Sequence, residues 1–401
     1  MTFRPTRRTF LAAVVALSVL LTGCWDRKGA EDIAFVTAIG LDAADDGKIS
    51  VTVAIANPRA IAGQNVVGGG SGGEMGVPSV VQRMVQPTMT EALRDLETFT
   101  NRRISLVHTK VILFGEELAR QGLESHLGIL TRFRELRRNV RVMMVEGTAQ
   151  KLLTTRPVLE RDPSLFLEDL ARRAEERTAR APNVTLHDFL VRLESLAEQA
   201  VLPVIKPYVM EPGLEERPNE KSRMEGTAIL REDQVVGLLS PDDTEIFLLL
   251  TGNARTFTET ILEGTGEDHR IAFTMHTEKT KVQLDTTGKV PSFRVQVEVE
   301  GDLRESERPR SDLGTPEAVD ELEERLSRQI TARTNSMVKR MQQEFKSDTL
   351  GLGKHVRSRF LDWPSWVAYK WPEKFPTAQI QVEVRVHLRR IGMTFQPVRA
   401  R

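Results

Sequence analysis

The sequence predicts an α+β protein of three domains, each a mixed or antiparallel β-sheet flanked by α-helices, placed behind an N-terminal signal segment. Three observations predict this architecture. Stretches rich in Val, Ile and Thr, some strictly alternating, are interleaved with stretches whose apolar residues recur every three or four positions, the signature of sheets covered by helices. The chain has 401 residues, room for two or three units at the usual ~100–200 residues each. Breaks in the pattern then divide it into a signal segment at 1–23, an N-terminal α/β domain with a helical connector at 24–200, a small middle domain at 201–270, and a C-terminal domain of a sheet and a long helix at 271–401.

Arg4, Arg7 and Arg8 precede an apolar run at 10–21, and no acidic residue appears before Asp26. A basic n-region followed by an apolar h-region is the layout of a bacterial export signal. The run is about a dozen residues, short of the ~20 that a bilayer-crossing helix needs, so a permanent transmembrane span is the weaker reading. It ends in Leu21-Thr22-Gly23-Cys24, small residues leading to a thiol that a diacylglycerol can alkylate, which resembles the lipobox of bacterial lipoproteins. Cys24 is the single cysteine of the chain and stands at the one position a lipobox requires. The competing readings are an ordinary cleavage site with an incidental cysteine, or a cysteine buried as a small hydrophobe. A lone thiol excludes an intramolecular disulfide framework, so the exported domains rely on their own cores. Residues 6–11 (Thr-Arg-Arg-Thr-Phe-Leu) look like a twin-arginine export signal, and the choice between that route and general secretion stays open.

Lys and Arg total 56 and so do Asp and Glu, so no global field draws the chain to nucleic acid or presses its whole body onto an anionic membrane. The exported part is expected to be water-soluble and held to the membrane by its lipid.

The segments 33–39 and 49–56 flank a polar turn with Asp45, Asp46 and Gly47 and read as a hairpin. The glycine tract at 68–73 is entropically costly to pack and reads as a surface loop. Thr90 is placed to cap a helix carrying Ala92, Leu93, Leu96 and Phe99 at helical spacing. A buried strand follows at 104–114, a long amphipathic helix at 116–139 with Leu123, Leu127, Leu130 and Phe133, and another strand at 140–145. Helices are predicted at 164–180 and from Thr185, where Asp188 completes a capping motif. Prolines 203, 207, 212 and 218 punctuate the next stretch, and 226–230 with 234–239 form a short hairpin around Arg231-Glu232-Asp233. From about 276 the pattern turns to strands, with strict alternation at Phe293, Val295, Val297 and Val299. Thr315-Pro316 starts a long helix with Val319, Leu322, Leu326, Ile330, Met337, Met341 and Phe345 on one side; its mixed-sign polar side favours packing on a sheet over lying on a membrane. Ile380, Val382, Val384, Val386 and Leu388 alternate as a last strand, expected in the same sheet as 293–299.

No catalytic constellation emerges. Gly69-Gly70-Ser71-Gly72-Gly73 satisfies G-x-S-x-G, but that motif strains a serine between a strand and a helix, whereas Ser71 lies in a glycine tract. Gly351-Leu352-Gly353-Lys354-His355 lacks the spacing of a phosphate loop and has His355 where a magnesium-binding hydroxyl belongs, so a turn at a helix end is the better account. The seven histidines show no H-E-x-x-H, and no second cysteine completes a zinc site; a metal site assembled from distant residues stays open. The chain is therefore read as non-enzymatic, with no cofactor, catalytic residue or metal ligand assigned, and Cys24 as its one functional site.

Four stretches together resemble the Ger(x)C spore-germination lipoproteins. They are Gly23-Cys24-Trp25-Asp26-Arg27 running into the strand with Thr37, Gly40 and Asp42; Leu106, His108, Lys110, Gly115, Glu116, Leu118, Ala119 and Gly122; Gly226 to Gly237, a weak match; and Asp348-Thr349-Leu350-Gly351-Leu352-Gly353, followed by Trp371 and the last strand. The glycine tract at 68–73 departs from the family pattern. The resemblance implies three α/β domains and the C subunit of a nutrient germinant receptor, palmitoylated at Cys24 and held on the outer face of the spore inner membrane. It also implies two partners, an integral-membrane transporter-like subunit and a second membrane receptor subunit. The rival reading is a lipid-anchored extracytoplasmic solute-binding protein. His108 is either a hydrogen-bonded structural histidine or a direct contact, and Trp363, Trp366, Tyr369 and Trp371 are either aromatic core or a contact patch.

Overall fold

A computed structural model describes residues 32–57, 79–155, 162–208, 221–263, 269–288, 290–306 and 315–390. The signal segment, Cys24 and the glycine tract with Ser71 lie outside the described residues. The first part of the chain forms β1 (Ile33–Ala43), β2 (Ile49–Ala56), β3 (Ser79–Gln86), α1 (Met89–Thr100), β4 (Arg103–Ser105), β5 (Val111–Gly115), α2 (Glu116–Gln121), α3 (Glu124–Arg132), β6 (Arg141–Val145), α4 (Ala149–Thr154), α5 (Pro163–Thr178), α6 (Leu186–Leu193), β7 (Val201–Tyr208), β8 (Lys221–Arg231) and β9 (Gln234–Leu239). Its strands build one mixed sheet in the order β3-β2-β1-β5-β6-β7-β8-β9, with β4 pairing beside the start of β1. Four central strands, β1, β5, β6 and β7, run parallel to one another, and the outer pairs are antiparallel. Parallel strands need both faces covered, which is why β5 reads Val-Ile-Leu-Phe without alternation. Ile112 and Phe114 pack in the larger core with Leu96, Leu118 and Phe189, while Val111 and Leu113 pack in a smaller one with Leu153 and Leu167 from α4 and α5.

Several expected elements change here. The helix after β3 is capped by Thr88, not Thr90: the Thr88 hydroxyl accepts from the Glu91 N–H at 3.2 Å, one residue ahead of Met89. The strand expected at 104–114 is two strands, because the Lys110 N–H bonds Thr37 O at 2.8 Å and carries the chain from the start of β1 to a position further along it. The helix expected at 116–139 breaks at Gly122, whose φ of 131° no L side chain adopts readily. Asp233 from the β8–β9 turn then starts the second helix, its backbone oxygen accepting from Leu123 N and its carboxylate from Glu124 N at 3.0 Å. Among the described residues there are two sheets and not three. The hairpin expected in the middle domain, β8 with β9, extends the first sheet through β7, a strand not expected from the proline-rich stretch, which completes the parallel series beside β6.

The second part contains α7 (Pro241–Leu250), β10 (Thr256–Glu263), β11 (His269–Asp285), β12 (Ser292–Ser306), α8 (Pro316–Arg340), α9 (Gly353–Arg357), α10 (Trp363–Tyr369), α11 (Trp371–Lys374) and β13 (Gln379–Arg390). The sheet order is β10-β11-β12-β13, and β13 runs parallel to β12 as its neighbour, so the two alternating segments do share a sheet. Helix α8 starts at the expected Thr315 cap with Pro316 in its first turn. Its surface divides into three stripes. Leu322, Leu326, Ile330, Met337 and Val338 are buried in the core. Glu323, Ser327, Thr331 and Asn335, four apart, accept the N–H groups of Leu388, Val386, Val384 and Val382 at 2.6 to 3.3 Å. Four helical residues rise about 6.0 Å, close to the roughly 6.6 Å of two strand residues, so helix and strand stay in register over the whole run. On the other flank Arg325 and Gln329 donate to the edge carbonyls of Leu262 and Thr260 in β10 at 2.9 and 3.2 Å. One helix thus covers both edges of the sheet.

Replacing Ser327 by Ala and Thr331 by Val together is expected to lower stability by about 2 kcal/mol, roughly 1 kcal/mol per hydrogen bond lost, read from urea midpoints. The double variant is also expected to self-associate at concentrations where the parent is monodisperse, because the β13 edge is opened. Unchanged midpoints would mean that the ladder contributes nothing.

Candidate interaction groove

The two parts meet at the end of α8. A π-helical turn, Met341–Phe345, ends at Lys346 with a left-handed φ of 50°. Phe345 lies against Gly237 of β9, where a Cβ would strike its ring. The Ser347 hydroxyl donates a short hydrogen bond to Leu230 O, and Gln199 N donates to Asp348 O at 2.9 Å. The chain then wraps the buried Asp348 carboxylate, which accepts from Leu352 N at 3.1 Å, Gly353 N at 2.8 Å and Trp371 Nε1 at 2.8 Å. The glycines of Leu350-Gly351-Leu352-Gly353 have separate reasons. Gly351 has φ 73°, while Gly353 has no room for a Cβ between Ala197 O and the Trp371 indole. Burial pushes the Asp348 carboxyl up to about 6, against the pull of its N–H donors. Helix α7 adds two ion pairs at the same joint, Arg180 to Asp242 and Arg340 to Asp243, both at 2.6 Å.

Beside this joint lies a groove of about 1070 Å³, with α3, α6, residues 194–199 and the β8–β9 turn on one wall, and residues 346–348 and 371–376 on the other. Leu127, Leu190, Leu193, Trp371, Pro372 and Pro376 supply its apolar lining. Its charged groups are mostly acidic, Glu124, Glu194, Glu198, Glu232, Asp233 and Glu373 against Arg231 and Lys346. Glu198 is buried and held by Lys354 at 2.7 Å and Arg192 at 3.6 Å. Such a surface suits a cationic or amphipathic ligand or chain segment. Among the described residues no three His, Cys, Asp or Glu side chains gather as a metal site.

Most of the residues singled out in the sequence hold the scaffold rather than line this groove. The Thr37 hydroxyl donates to Ala54 O at 3.3 Å. Gly40 leaves room for Ala149, since a Cβ would sit 2.8 Å from that residue's own. The Asp42 carboxylate accepts from Ala149 N at 2.7 Å and Gln150 N at 3.0 Å, capping α4 from across the sheet, and burial raises it above the usual carboxylate range. His108 is exposed and stands edge-on to Phe35 at 5.0 Å, and Lys110 pairs with Glu168 at 3.4 Å. Gly226, with φ 101°, lies against Leu239 O. The aromatic cluster splits: Trp366 and Trp371 are buried core, while Trp363 is 56% exposed. The groove itself was not foreseen, because Glu124 and Asp233 meet across 109 positions of sequence and no local pattern announces the contact.

Trp371→Phe removes a donor that serves ionised Asp348. The folded carboxyl protonates near 6 and the unfolded one near its ordinary ~4. With the folded pKa raised, this group's contribution to stability falls as pH rises through that window and is level above it. The substitution is therefore expected to cost about 2 kcal/mol near pH 7.5 and clearly less near pH 5, read by urea denaturation at each pH. An equal cost at both would show that Asp348 does not change protonation in this range.

Comparison with known proteins covers almost the whole chain. Residues 26–207 match the spore germination protein N-terminal domain, and residues 225–392 match the spore germination B3/GerAC-like C-terminal domain. Spore germination protein KC of Bacillus subtilis (strain 168) is 24% identical over 409 aligned positions, 98% of each chain. The putative spore germination protein YfkR of the same organism is 30% identical over 251 positions, 62% of this chain and 63% of that one. The crystal structure of the GerBC protein superposes with a TM-score of 0.54 at 19% identity, covering 87% of this chain and 96% of that one, a likeness of fold. The chain belongs to this family of spore germination proteins, the C subunits of germinant receptors.

Proposed function

We propose that this chain is the lipid-anchored subunit of a nutrient germinant receptor, tethered through Cys24 to the outer face of the spore inner membrane and needed for nutrient-triggered germination. The observation that carries the proposal is the end-to-end match to spore germination proteins, with the family segment starting at residue 26, two positions after the lipobox cysteine. Among the described residues no helix is long and apolar enough to cross a membrane, so under this reading the thiol supplies the attachment. Its role is assembly and binding rather than catalysis. The acidic, apolar-floored groove between the two sheets supplies a place for a cationic segment of a partner, and the partners are an integral-membrane transporter-like subunit and a second membrane receptor subunit. The lipid keeps the groove at high effective concentration beside them.

A second reading, an extracytoplasmic solute-binding protein, draws on the same groove, whose size is at the upper end of small-molecule sites. Stabilisation of the purified chain by one compound in a nutrient screen, read as a rise in melting temperature, would favour that reading.

The deciding experiment is labelling of sporulating cells with a clickable palmitate analogue, comparing the parent chain with Cys24→Ala and identifying proteins that co-purify with the parent. Label on the parent alone, with two membrane-spanning subunits among the companions, is the expected result. An unlabelled parent, or one with no membrane companion, would return the solute-binding reading to the front.

A further inference from the structure

The segment from α9 to α11 carries a surface that neither the groove nor the core uses. Leu361 is 103% exposed, Trp363 56% and Val367 42%. Trp363 and Val367 stand four apart on α10, so they share one side of that helix, and Leu361 leads into it. The patch rests on a firm base. Buried Trp366 packs against Phe360 at 5.5 Å and Tyr369 at 6.1 Å, and Asp362 caps the helix by accepting from Ser365 N at 2.8 Å. Exposed Trp, Leu and Val on a rigid platform are unfavourable in water unless something covers them.

The charges around the patch indicate what covers it. Between residues 353 and 374 there are five Lys and Arg against two acids, in a chain whose overall balance is zero. Asp362 serves as the helix cap, Lys354 is taken by Glu198 at 2.7 Å and Lys370 by Glu373 at 3.2 Å, which leaves Arg357, Arg359 and Lys374 as the basic surround. Arg357 lies over the Trp363 ring at 5.8 Å and Lys374 over Tyr369 at 3.7 Å, so cations sit at the aromatic faces around the patch. Arg359, in the same segment, is exposed. A Trp-Leu-Val wedge within a basic surround matches the chemistry of an anionic bilayer surface, where indole favours the headgroup level and each nearby cation is attracted to the acidic lipid. The long helix α8, by contrast, has a mixed-sign polar side and is occupied by its own sheet.

We propose that Leu361, Trp363 and Val367, with their basic surround, dock on an anionic phospholipid bilayer. The docking would give the chain a second hold on the membrane besides its lipid and fix which side of it faces the surface. The biological setting rests on the membrane location proposed above, but the binding itself does not require acylation and can be tested without it.

The test uses the chain from residue 24 onward with Cys24→Ala, mixed with vesicles of phosphatidylglycerol and phosphatidylcholine or of phosphatidylcholine alone, and read by co-sedimentation and tryptophan emission. Binding to the phosphatidylglycerol vesicles is expected, weakened several-fold by 0.5 M salt, with a blue shift that Trp363→Ala removes. The pair Leu361→Ala and Trp363→Ala is expected to bind at least tenfold more weakly while keeping its melting temperature, because both side chains are exposed. Absence of vesicle binding, binding indifferent to anionic lipid, or an equally strong double variant would each overturn the proposal. A failure here leaves palmitate labelling of Cys24 untouched, and a failure of that labelling leaves this result standing.

Discussion

Much of this structure depends on the register between one helix and one strand. Residues 323, 327, 331 and 335 of α8 meet the N–H groups of 388, 386, 384 and 382, a match between the rise of a helical turn and the repeat of a pleat. Because Arg325 and Gln329 reach β10 from the other flank, α8 spans the opening of a curved four-stranded sheet as an additional stave. The direction in which α8 leaves the sheet is set by this ladder. Its π turn then delivers Phe345 to Gly237 and Ser347 to Leu230, and Asp348 to the hollow that Trp371 closes. One groove wall and the platform of the α10 patch both lie downstream of that delivery.

What was legible in the sequence follows the range of the interactions involved. Caps are local, so Thr185 with Asp188 and Thr315 with Pro316 could be read directly. Alternation marks a half-buried strand, and 293–299 and 380–388 were rightly assigned to one sheet. The break at Gly122 was missed because it is made by Asp233, more than a hundred residues away, and periodicity continues across it. The merging of β7 to β9 into the first sheet was missed for a related reason: punctuation by prolines suggests a new unit, but pairing partners are chosen in space. The ladder from α8 to β13 was not read from the sequence, because Ser, Thr, Asn and Glu face strand edges and water with the same chemistry.

The residues that carried the family resemblance are mostly joints. Gly40, Asp42 and Gly115 let a helix N-terminus dock on the central strands, and Asp348, Gly351 and Gly353 with Trp371 let the two sheets meet closely. A motif that identifies such a chain therefore marks mainly where its parts are fastened: Asp348, Trp371 and the turn at Arg231–Asp233 reach the groove from such stretches, while the rest of its lining and Leu361, Trp363 and Val367 of the α10 patch come from outside them.

The parallel pairing of β12 with β13 has a consequence for the order in which the chain can mature. Every strand of the nine-stranded sheet has been synthesised once residue 239 is made, whereas the second sheet needs residues 379–390. Until those arrive, the stripe of α8 that receives β13 has nothing to receive, and the edge of β12 stands uncovered. A chain stopped short of β13 therefore carries an open edge strand on β12 and an unsatisfied polar face on α8.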